Sequence, residues 1–475
     1  MLPSPLALEE ARKARDPRFD GRFFVGVRTT GIYCRPVCPV KLPREENVVF
    51  FAAAAQAIEA GYRPCLRCRP EASPGTPAWM GTSTTVSRAL KLINEGALDD
   101  GGTIAGLSDR LGVTTRHLSR LFARHLGVSP KTVAQTRRLQ FAKKLIDETM
   151  LPMTEIAMSA GYGSVRRFND HFRQVYARAP RQLRKEGGSG TGETLVLQLP
   201  YREPFSFNTL LDFYRVRATP GVEQVTGSTY SRNFLLDNVA GRLMVSAGKG
   251  VLTCRVEGGS SRALMRLHGA LKRMFDLDAV PAEVNRVLCS DRKLAALVRQ
   301  APGLRLPGAF DPFEIAVRAI VGQQVSVKGA STVMGRIAEQ YGKSTDYGPV
   351  FPDADRLARL DPASLPMPRK RAEAIRSLAA EVASGRIAFD QTDKSDFEAS
   401  LLALPGIGPW TAQYIAMRAL GDPDAFLQGD LVIRKVVKQL FGLDRERDLL
   451  ALAERWRPWR GYAGMHLWRY AAEKP

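Results

Sequence analysis

The chain has 475 residues, 44% hydrophobic and 25% charged, with 69 Lys and Arg against 48 Asp and Glu. That length predicts several domains rather than one core, and the composition is globular rather than disordered. A net charge of +21 and a pI near 10.0 favour nucleic acid or another anionic surface as partner, without bearing on the fold. No run of about 18 apolar residues is present. The N-terminal stretch with Glu9, Glu10, Arg12 and Lys13 has no apolar signal core. The expected location is therefore cytoplasmic and reducing, with no membrane contact. There, clustered cysteines bind metal more readily than they pair as disulfides.

Residues 1–75 carry Cys34-x3-Cys38, then 26 residues, then Cys65-x2-Cys68. Two close thiol pairs at this spacing suit a tetrahedral zinc site, so Cys34, Cys38, Cys65 and Cys68 are the expected ligands of a Zn2+ ion. The segments Arg28-Thr29-Thr30-Gly31-Ile32-Tyr33-Cys34-Arg35-Pro36, Arg44-Glu45-Glu46-Asn47-Val48 and Arg63-Pro64-Cys65-Leu66-Arg67-Cys68 resemble the N-terminal domain of the adaptive-response regulator Ada. The resemblance implies that Cys34 accepts a methyl group from a methylphosphotriester in DNA. Zinc with four thiolates carries a net −2 charge, and methylating one leaves −1. Repulsion from phosphate then falls, and Arg28, Arg35, Arg44 and Arg67 are expected to engage the backbone.

Residues 73–83 read as a linker, and residues 84–186 as a basic, all-α domain. A helix from Thr103-Ile104 to Leu111, a turn at Gly112 and a helix from Thr114 to His125 form one predicted helix-turn-helix. Met153 to Ala160, Gly161-Tyr162-Gly163 and Ser164 to Tyr176 form a second, joined to the first by a helix from Pro130 to Thr149. A plain three-helix bundle is the alternative. Arg116-His117-Leu118-Ser119-Arg120-Leu121-Phe122 and Phe168-x3-Phe172 resemble the AraC-type DNA-binding domain. This implies a transcription regulator, activating or repressing, with promoter DNA and RNA polymerase as partners. Arg116, Arg120 and Arg166 are its expected DNA contacts. The family's usual Gly near the closing Pro is Ala177 here, a departure expected to shift only a turn.

Gly187–Gly192 reads as a flexible linker that leaves the two halves independent. Residues 193–280 alternate as strands, with a helical run Leu210–Arg215, and read as a small α+β domain. Residues 281–475 are helical to the end. Within them Leu404-Pro405-Gly406-Ile407-Gly408 is a tight turn, in which Gly406 and Gly408 are free to take φ > 0. The helix after it offers a phosphate cradle, and a lone carboxylate follows at Asp430. This stretch, with Trp410, Tyr414, Ala425-Phe426-Leu427 and Trp456-Arg457-Pro458-Trp459-Arg460, resembles the helix-hairpin-helix DNA glycosylases of the AlkA 3-methyladenine type.

That resemblance implies Asp430 as the catalytic acid and Phe213, Trp410, Tyr414 and Trp468 as the walls of the base pocket. A core role is the alternative for each of these aromatics. Gly406, Gly408 and Gln324 are the expected contacts to double-stranded DNA bearing an alkylated base. Relatives place a Leu wedge where Gln324 stands. Bifunctional members carry a Lys where Trp410 stands, so a monofunctional enzyme is expected, and a non-catalytic DNA-binding protein is the weaker alternative. Cys254 and Cys289 read as core residues. Ada relatives usually end in a methyltransferase with a Pro-Cys-His-Arg tetrapeptide, which does not occur here.

The expected fold class is multidomain α+β. It comprises a small zinc-bound four-cysteine domain, an all-α double helix-turn-helix domain, a small α+β domain and an all-α helix-hairpin-helix glycosylase bundle.

Overall fold

The computed structural model describes residues 4–16, 19–68, 70, 84–94, 96–99, 101–184, 194–389 and 394–473. The linkers expected at 73–83 and Gly187–Gly192 lie outside the described residues. The chain divides into two compact units, Met1–Arg202 with Gly248–Gly269, and Glu203–Ala247 with Ala270–Pro475.

The first unit opens with a four-stranded sheet of order β3-β1-β2-β4. Its strands are β1 (Phe24–Val27), β2 (Ile32–Cys34), β3 (Val48–Phe51) and β4 (Arg63–Pro64). β2 and β4 run parallel with Tyr33 opposite Pro64, so Cys34 and Cys65 leave the sheet side by side. Phe24, Tyr33 and Phe51 pack one face against the helix Ala54–Glu59, and Phe23 and Val25 pack the other against Leu8 and Ala11.

Among the described residues, seven helices between Thr84 and Leu183 follow in this unit. Each helix-turn-helix forms where polar caps meet a 3.6-residue apolar stripe. Thr103, Thr114, Ser129 and Ser164 each accept a backbone N–H at the start of their helices. The second helices run Thr115–Leu126 and Val165–Tyr176, burying Leu118 and Phe122 in one and Phe168 and Phe172 in the other. Arg137 and Arg138 of the connecting helix Pro130–Glu148 both donate to Asp99, at 2.6 and 2.8 Å. Ala177 takes φ +53 as the left-handed end of its helix, as Gly127 does at φ +71 in the first copy.

β5 (Thr194–Pro200) pairs antiparallel with β9 (Val251–Gly258), and both strands belong to the first unit. Their tie to the helices there is specific. Glu148 accepts from the backbone N–H of Gln198 at 3.0 Å, while the Lys144 ammonium donates to the Gln198 carbonyl. Arg202, buried at 2% exposure, donates from Nη2 to the carbonyl of Asp20 at 2.9 Å. The independence expected of the two halves about the 187–192 linker therefore does not hold at residue 194. Side chains on both sides of that linker belong to one packed unit.

In the second unit β6 (Glu223–Thr226), β7 (Thr229–Leu236) and β8 (Val239–Ala247) form an antiparallel meander. The helix Phe207–Arg215 buries Phe207, Leu210, Leu211 and Tyr214. Pro312–Val321 is apolar around nearly its whole circumference and forms the core helix, with Phe313 to Val321 all buried. Its Glu314 is paired with Arg232 and accepts from the Thr219 hydroxyl at 2.9 Å, which makes a buried charge tolerable. Cys254 is buried as expected. Cys289 is exposed, because it follows the last turn of the helix Pro281–Leu288, whose Val284 and Leu288 face inward.

Candidate active site and metal centre

The hairpin lies between the helices Lys394–Leu402 and Pro409–Ala419. Gly406 takes φ +85, and an added Cβ there would stand 3.1 Å from that of Ala374, so both conformation and space require glycine. Gly408 departs from expectation. At φ −96, ψ 175 it caps the following helix in extended backbone, and its surroundings are open. Gln323 fastens a second turn to this hairpin, its amide donating to the Gly406 carbonyl at 2.8 Å and to the Thr411 hydroxyl at 3.1 Å. The next residue, Gln324, is exposed and left-handed at φ +54, so it projects from a turn held rigid by its neighbour.

Asp430 caps the helix Leu431–Phe441. Its Oδ1 accepts from the backbone N–H groups of Val432 and Ile433 at 3.0 and 2.9 Å. Trp468 Nε1 donates to the same oxygen at 3.0 Å, and Trp410 Nε1 donates to Oδ2 at 3.1 Å. Three donors thus fix Oδ1, while Oδ2 has one and keeps a lone pair for another partner.

The two indoles lead into a group of rings. Trp410 stacks on Tyr414 at 5.2 Å and 14°, Tyr414 meets Trp468 at 6.5 Å, and Trp468 lies near-parallel to Phe213 at 6.5 Å and 22°. The four aromatics expected in the pocket are therefore brought together, with the carboxylate at their edge. Sequence reasoning passed over the cations behind them. Arg217 lies 3.8 Å from the Phe213 centroid, and Arg418 donates to the Tyr414 hydroxyl at 2.6 Å. The signal was present, since each Arg follows its aromatic by four residues. Burial pushes the Tyr414 phenol up, but Arg418, Arg217 and Arg318 outweigh it and leave the group below its ordinary value.

In the first unit the four cysteines are buried, and their Sγ atoms all lie within 4.8 Å of one another. Zinc–sulfur bonds of about 2.3 Å give S···S edges of about 3.8 Å, so the set fits a tetrahedral ion. By themselves the thiols spread apart in acidity. Hydrogen bonding with Cys38 raises Cys34 far above the ordinary range, and hydrogen bonding with Cys34 drops Cys65 far below it. A divalent cation suits such a set because it lets all four ionise together.

Arg35 differs from its expected role as a DNA contact. It forms a two-pronged pair with Asp20 and donates from Nη1 to the Cys68 carbonyl at 3.2 Å, while its backbone N–H reaches Cys68 Sγ at 3.3 Å. It braces the metal loop. Arg28, Arg44, Arg67, Arg116, Arg120 and Arg166 are exposed. Among these, Arg120 touches His117 Nδ1 at 3.0 Å, and Arg166 and Arg44 have only loose partners, at 3.9 and 3.7 Å.

Four family profiles match along the chain: the metal binding domain of Ada at residues 7–71, a helix-turn-helix domain at 107–186, the AlkA N-terminal domain at 196–311, and the HhH-GPD superfamily of base excision DNA repair proteins at 317–460. The chain is 41% identical over 471 residues to the "Probable bifunctional transcriptional activator/DNA repair enzyme AlkA" of Mycobacterium tuberculosis, covering 96% of this chain and 95% of that one. It is 36% identical to the Escherichia coli DNA-3-methyladenine glycosylase 2 over 57% of this chain and 95% of that one. The 3-methyladenine DNA-glycosylase of Archaeoglobus fulgidus superposes with a TM-score of 0.52 at 22% identity, covering 58% of this chain and 98% of that one, which shows the fold they share. The zinc domain, the helix-turn-helix region and the glycosylase fold thus lie in one polypeptide, and the chain belongs to the family of bifunctional transcriptional activator/DNA repair proteins that join an Ada-type regulator to an AlkA-type glycosylase.

Proposed function

We propose that this chain excises alkylated purines from double-stranded DNA and, through its zinc domain, senses methylated phosphotriesters to regulate transcription. The observation that carries the repair half is Asp430, held by Trp410 and Trp468 at the edge of a pocket of aromatic rings. A 3-methylated purine is cationic, so it leaves as a neutral base once the bond to C1′ breaks, and needs little protonation. The carboxylate then faces the positive charge that develops at C1′ and orients the attacking water, whose proton passes to solvent. The flipped base enters the group formed by Phe213, Trp410, Tyr414 and Trp468, whose faces favour an electron-poor ring. The Gly406 turn and the start of the helix Pro409–Ala419 serve the phosphates, and Gln324 fills the duplex. Trp410 stands where a Schiff-base lysine would be needed, so the product is an abasic site on an intact strand.

The regulatory half rests on the buried cluster of four cysteines. Bound zinc keeps its sulfur ligands ionised at neutral pH and therefore nucleophilic. Cys34 Sγ takes the methyl carbon as the phosphotriester's O–C bond breaks, leaving a phosphodiester and a thioether. Loss of one negative charge beside Arg28, Arg44 and Arg67 strengthens DNA binding, and that gain shrinks as salt rises. Four free thiols suit the cytoplasm, and a promoter-bound activator acts through RNA polymerase. The deciding experiment is release of 3-methyladenine from alkylated duplex by the full chain and by Asp430→Asn. The asparagine keeps the helix cap, so the variant should bind DNA and fold while release drops by orders of magnitude. Near-normal release would remove Asp430 from the mechanism.

A further inference from the structure

The cysteine loop of the first unit is supported by a residue far along the chain. Arg35 meets that loop at the Cys68 carbonyl and Sγ, and its guanidinium is held by the Asp20 carboxylate. Asp20 is 5% exposed and lies in the turn that the Arg22 N–H closes on the Phe19 carbonyl, with Gly21 at φ +73. The backbone of Asp20 faces a second arginine. Arg202, 2% exposed, donates from Nε and Nη2 to the Asp20 carbonyl at 3.1 and 2.9 Å. One residue thus stands between two guanidiniums, its carboxylate on the first and its carbonyl on the second.

Arg202 is presented from a fixed arm. The residue before it, Tyr201, donates its N–H to the Gly250 carbonyl at 3.4 Å and its hydroxyl to the Gly248 carbonyl at 3.0 Å. Further back on β5, Gln198 is clasped by Lys144 and Glu148. All these residues belong to the first unit. A buried guanidinium is costly unless its N–H groups meet acceptors, so the turn is held where the Asp20 carbonyl receives both of them. A shift of that turn moves the Asp20 carboxylate, and Arg35 follows it. Groups that hydrogen-bond to metal ligands fix the direction of those ligands, and their removal typically lowers metal affinity or activity 10–100-fold. Arg35 is such a group for the cysteine cluster, and Arg202 stands behind it.

We infer that Arg202, which lies in the segment matching the AlkA N-terminal domain, is a positioning residue for the methyl-accepting cysteine cluster and acts through Asp20 and Arg35. The inference rests on the regulatory half of the reading above. The support of the cluster then includes a residue beyond both segments that read as linkers, so the methyl-transfer reaction depends on a strand end of the repair half.

The test compares the full chain with Arg202→Met, Arg202→Lys, Asp20→Asn and the double variant Arg202→Met with Asp20→Asn. Three readouts are taken: the rate at which a chelator strips zinc, the sulfur-to-metal absorption of the cobalt-loaded chain, and methyl uptake on Cys34 from DNA containing methylphosphotriesters. Arg202→Met should lose zinc about tenfold faster, at the low end for a group behind metal ligands, with an altered cobalt spectrum and slower methyl uptake. Arg202→Lys keeps the charge and one donor for the Asp20 carbonyl, so it should fall between parent and Arg202→Met. If Arg202→Met does not fold, Arg202→Lys against the parent decides, with an expected loss about threefold faster. Asp20→Asn keeps the carbonyl but loosens Arg35, and the double variant should lose zinc little faster than the worse single one, because both act on one path. Parental zinc loss and methyl uptake in the Arg202 variants, or additive effects in the double variant, would overturn the inference and leave the regulatory reading intact. A parent chain that takes up no methyl on any of the four cysteines would defeat the regulatory reading, and the inference with it.

Discussion

Trp468 and Asp430 are joined by a 3.0 Å hydrogen bond from indole Nε1 to carboxylate Oδ1, across 38 residues of sequence. The same oxygen already accepts two backbone N–H groups of the helix it caps. One atom thus fastens the C-terminal helix Arg460–Glu473 to the first turn of Leu431–Phe441. Those donors, with Trp410 Nε1 on Oδ2, set the acid's direction.

Trp468→Phe deletes that donor and keeps a π face. A hydrogen bond to a charged group contributes about 1.5–3 kcal/mol, so release of 3-methyladenine should slow at least tenfold in single-turnover assays, with duplex affinity little changed. An unaltered rate would show that the helix N–H groups orient the carboxylate unaided.

The four-cysteine cluster predicts bound zinc in the purified full chain and its loss in Cys65→Ser. The parallel contact between β2 and β4 that ends at Cys34 and Cys65 should loosen with it. Metal analysis and melting with and without chelator read both effects. After incubation with DNA containing methylphosphotriesters, mass mapping should find the methyl on Cys34. An adduct on Cys38, Cys65 or Cys68 would move the nucleophile.

Ala177 occupies a left-handed helix end at φ +53, where a Cβ costs about 1–2 kcal/mol. Ala177→Gly should therefore stabilise the helix-turn-helix region by about 1 kcal/mol, after the greater chain entropy of unfolded glycine is offset. Denaturant titration checks this, and no gain would mean the turn relaxes around the methyl group.

Asp276 and His466 should oppose one another in acid. Burial pushes the Asp276 carboxyl up to about 6, against which Arg305, a hydrogen bond from Tyr462 and the Leu306 N–H count for less. Burial pushes the His466 imidazole down to about 4, helped by Arg469. Between those values folded Asp276 keeps a proton that its unfolded carboxyl sheds, so its contribution favours folding at low pH and is lost as pH rises through about 6. Folded His466 refuses a proton that its unfolded ring accepts, so its contribution is lost as pH falls from the ordinary imidazole range through about 4. Asp276→Asn removes the first and leaves the second. Relative to the parent, its melting temperature should fall as pH drops from about 6 to about 4. Parallel profiles would reject the assignment.

The cysteine spacing, the capped helix-turn-helix pairs and the acid after the hairpin were legible because each depends on local chemistry at fixed separation. Less legible were features made by distant pairs. Nothing near Arg35 indicates that Asp20 takes its charge, and no periodicity singles out Gln323 over Gln324 as the residue bonded to the hairpin. The pocket aromatics were found through resemblance, since their spacing alone also suits a core. Arg217 and Arg418 were overlooked because a long cationic side chain in a basic protein reads by default as solvated surface. Cys289 was misjudged because hydrophobic residue type was weighed above its place one step past an inward-facing stripe.

The contacts of Gln198 and Arg202 with Lys144, Glu148 and Asp20 bear on how this polypeptide can be taken apart. Its backbone passes between the two compact units three times, after Arg202, Ala247 and Gly269. A protease cut or a genetic truncation at the glycine-rich segment would therefore not release an unscarred repair enzyme. A fragment starting at residue 194 would carry two strands stripped of their former covering, with a paired lysine and glutamate left on the other piece. In this protein the boundary suggested by composition and the boundary set by packing fall at different residues, so shuffling the halves with those of a relative calls for a joint at about 203 and a graft of 248–269 as well.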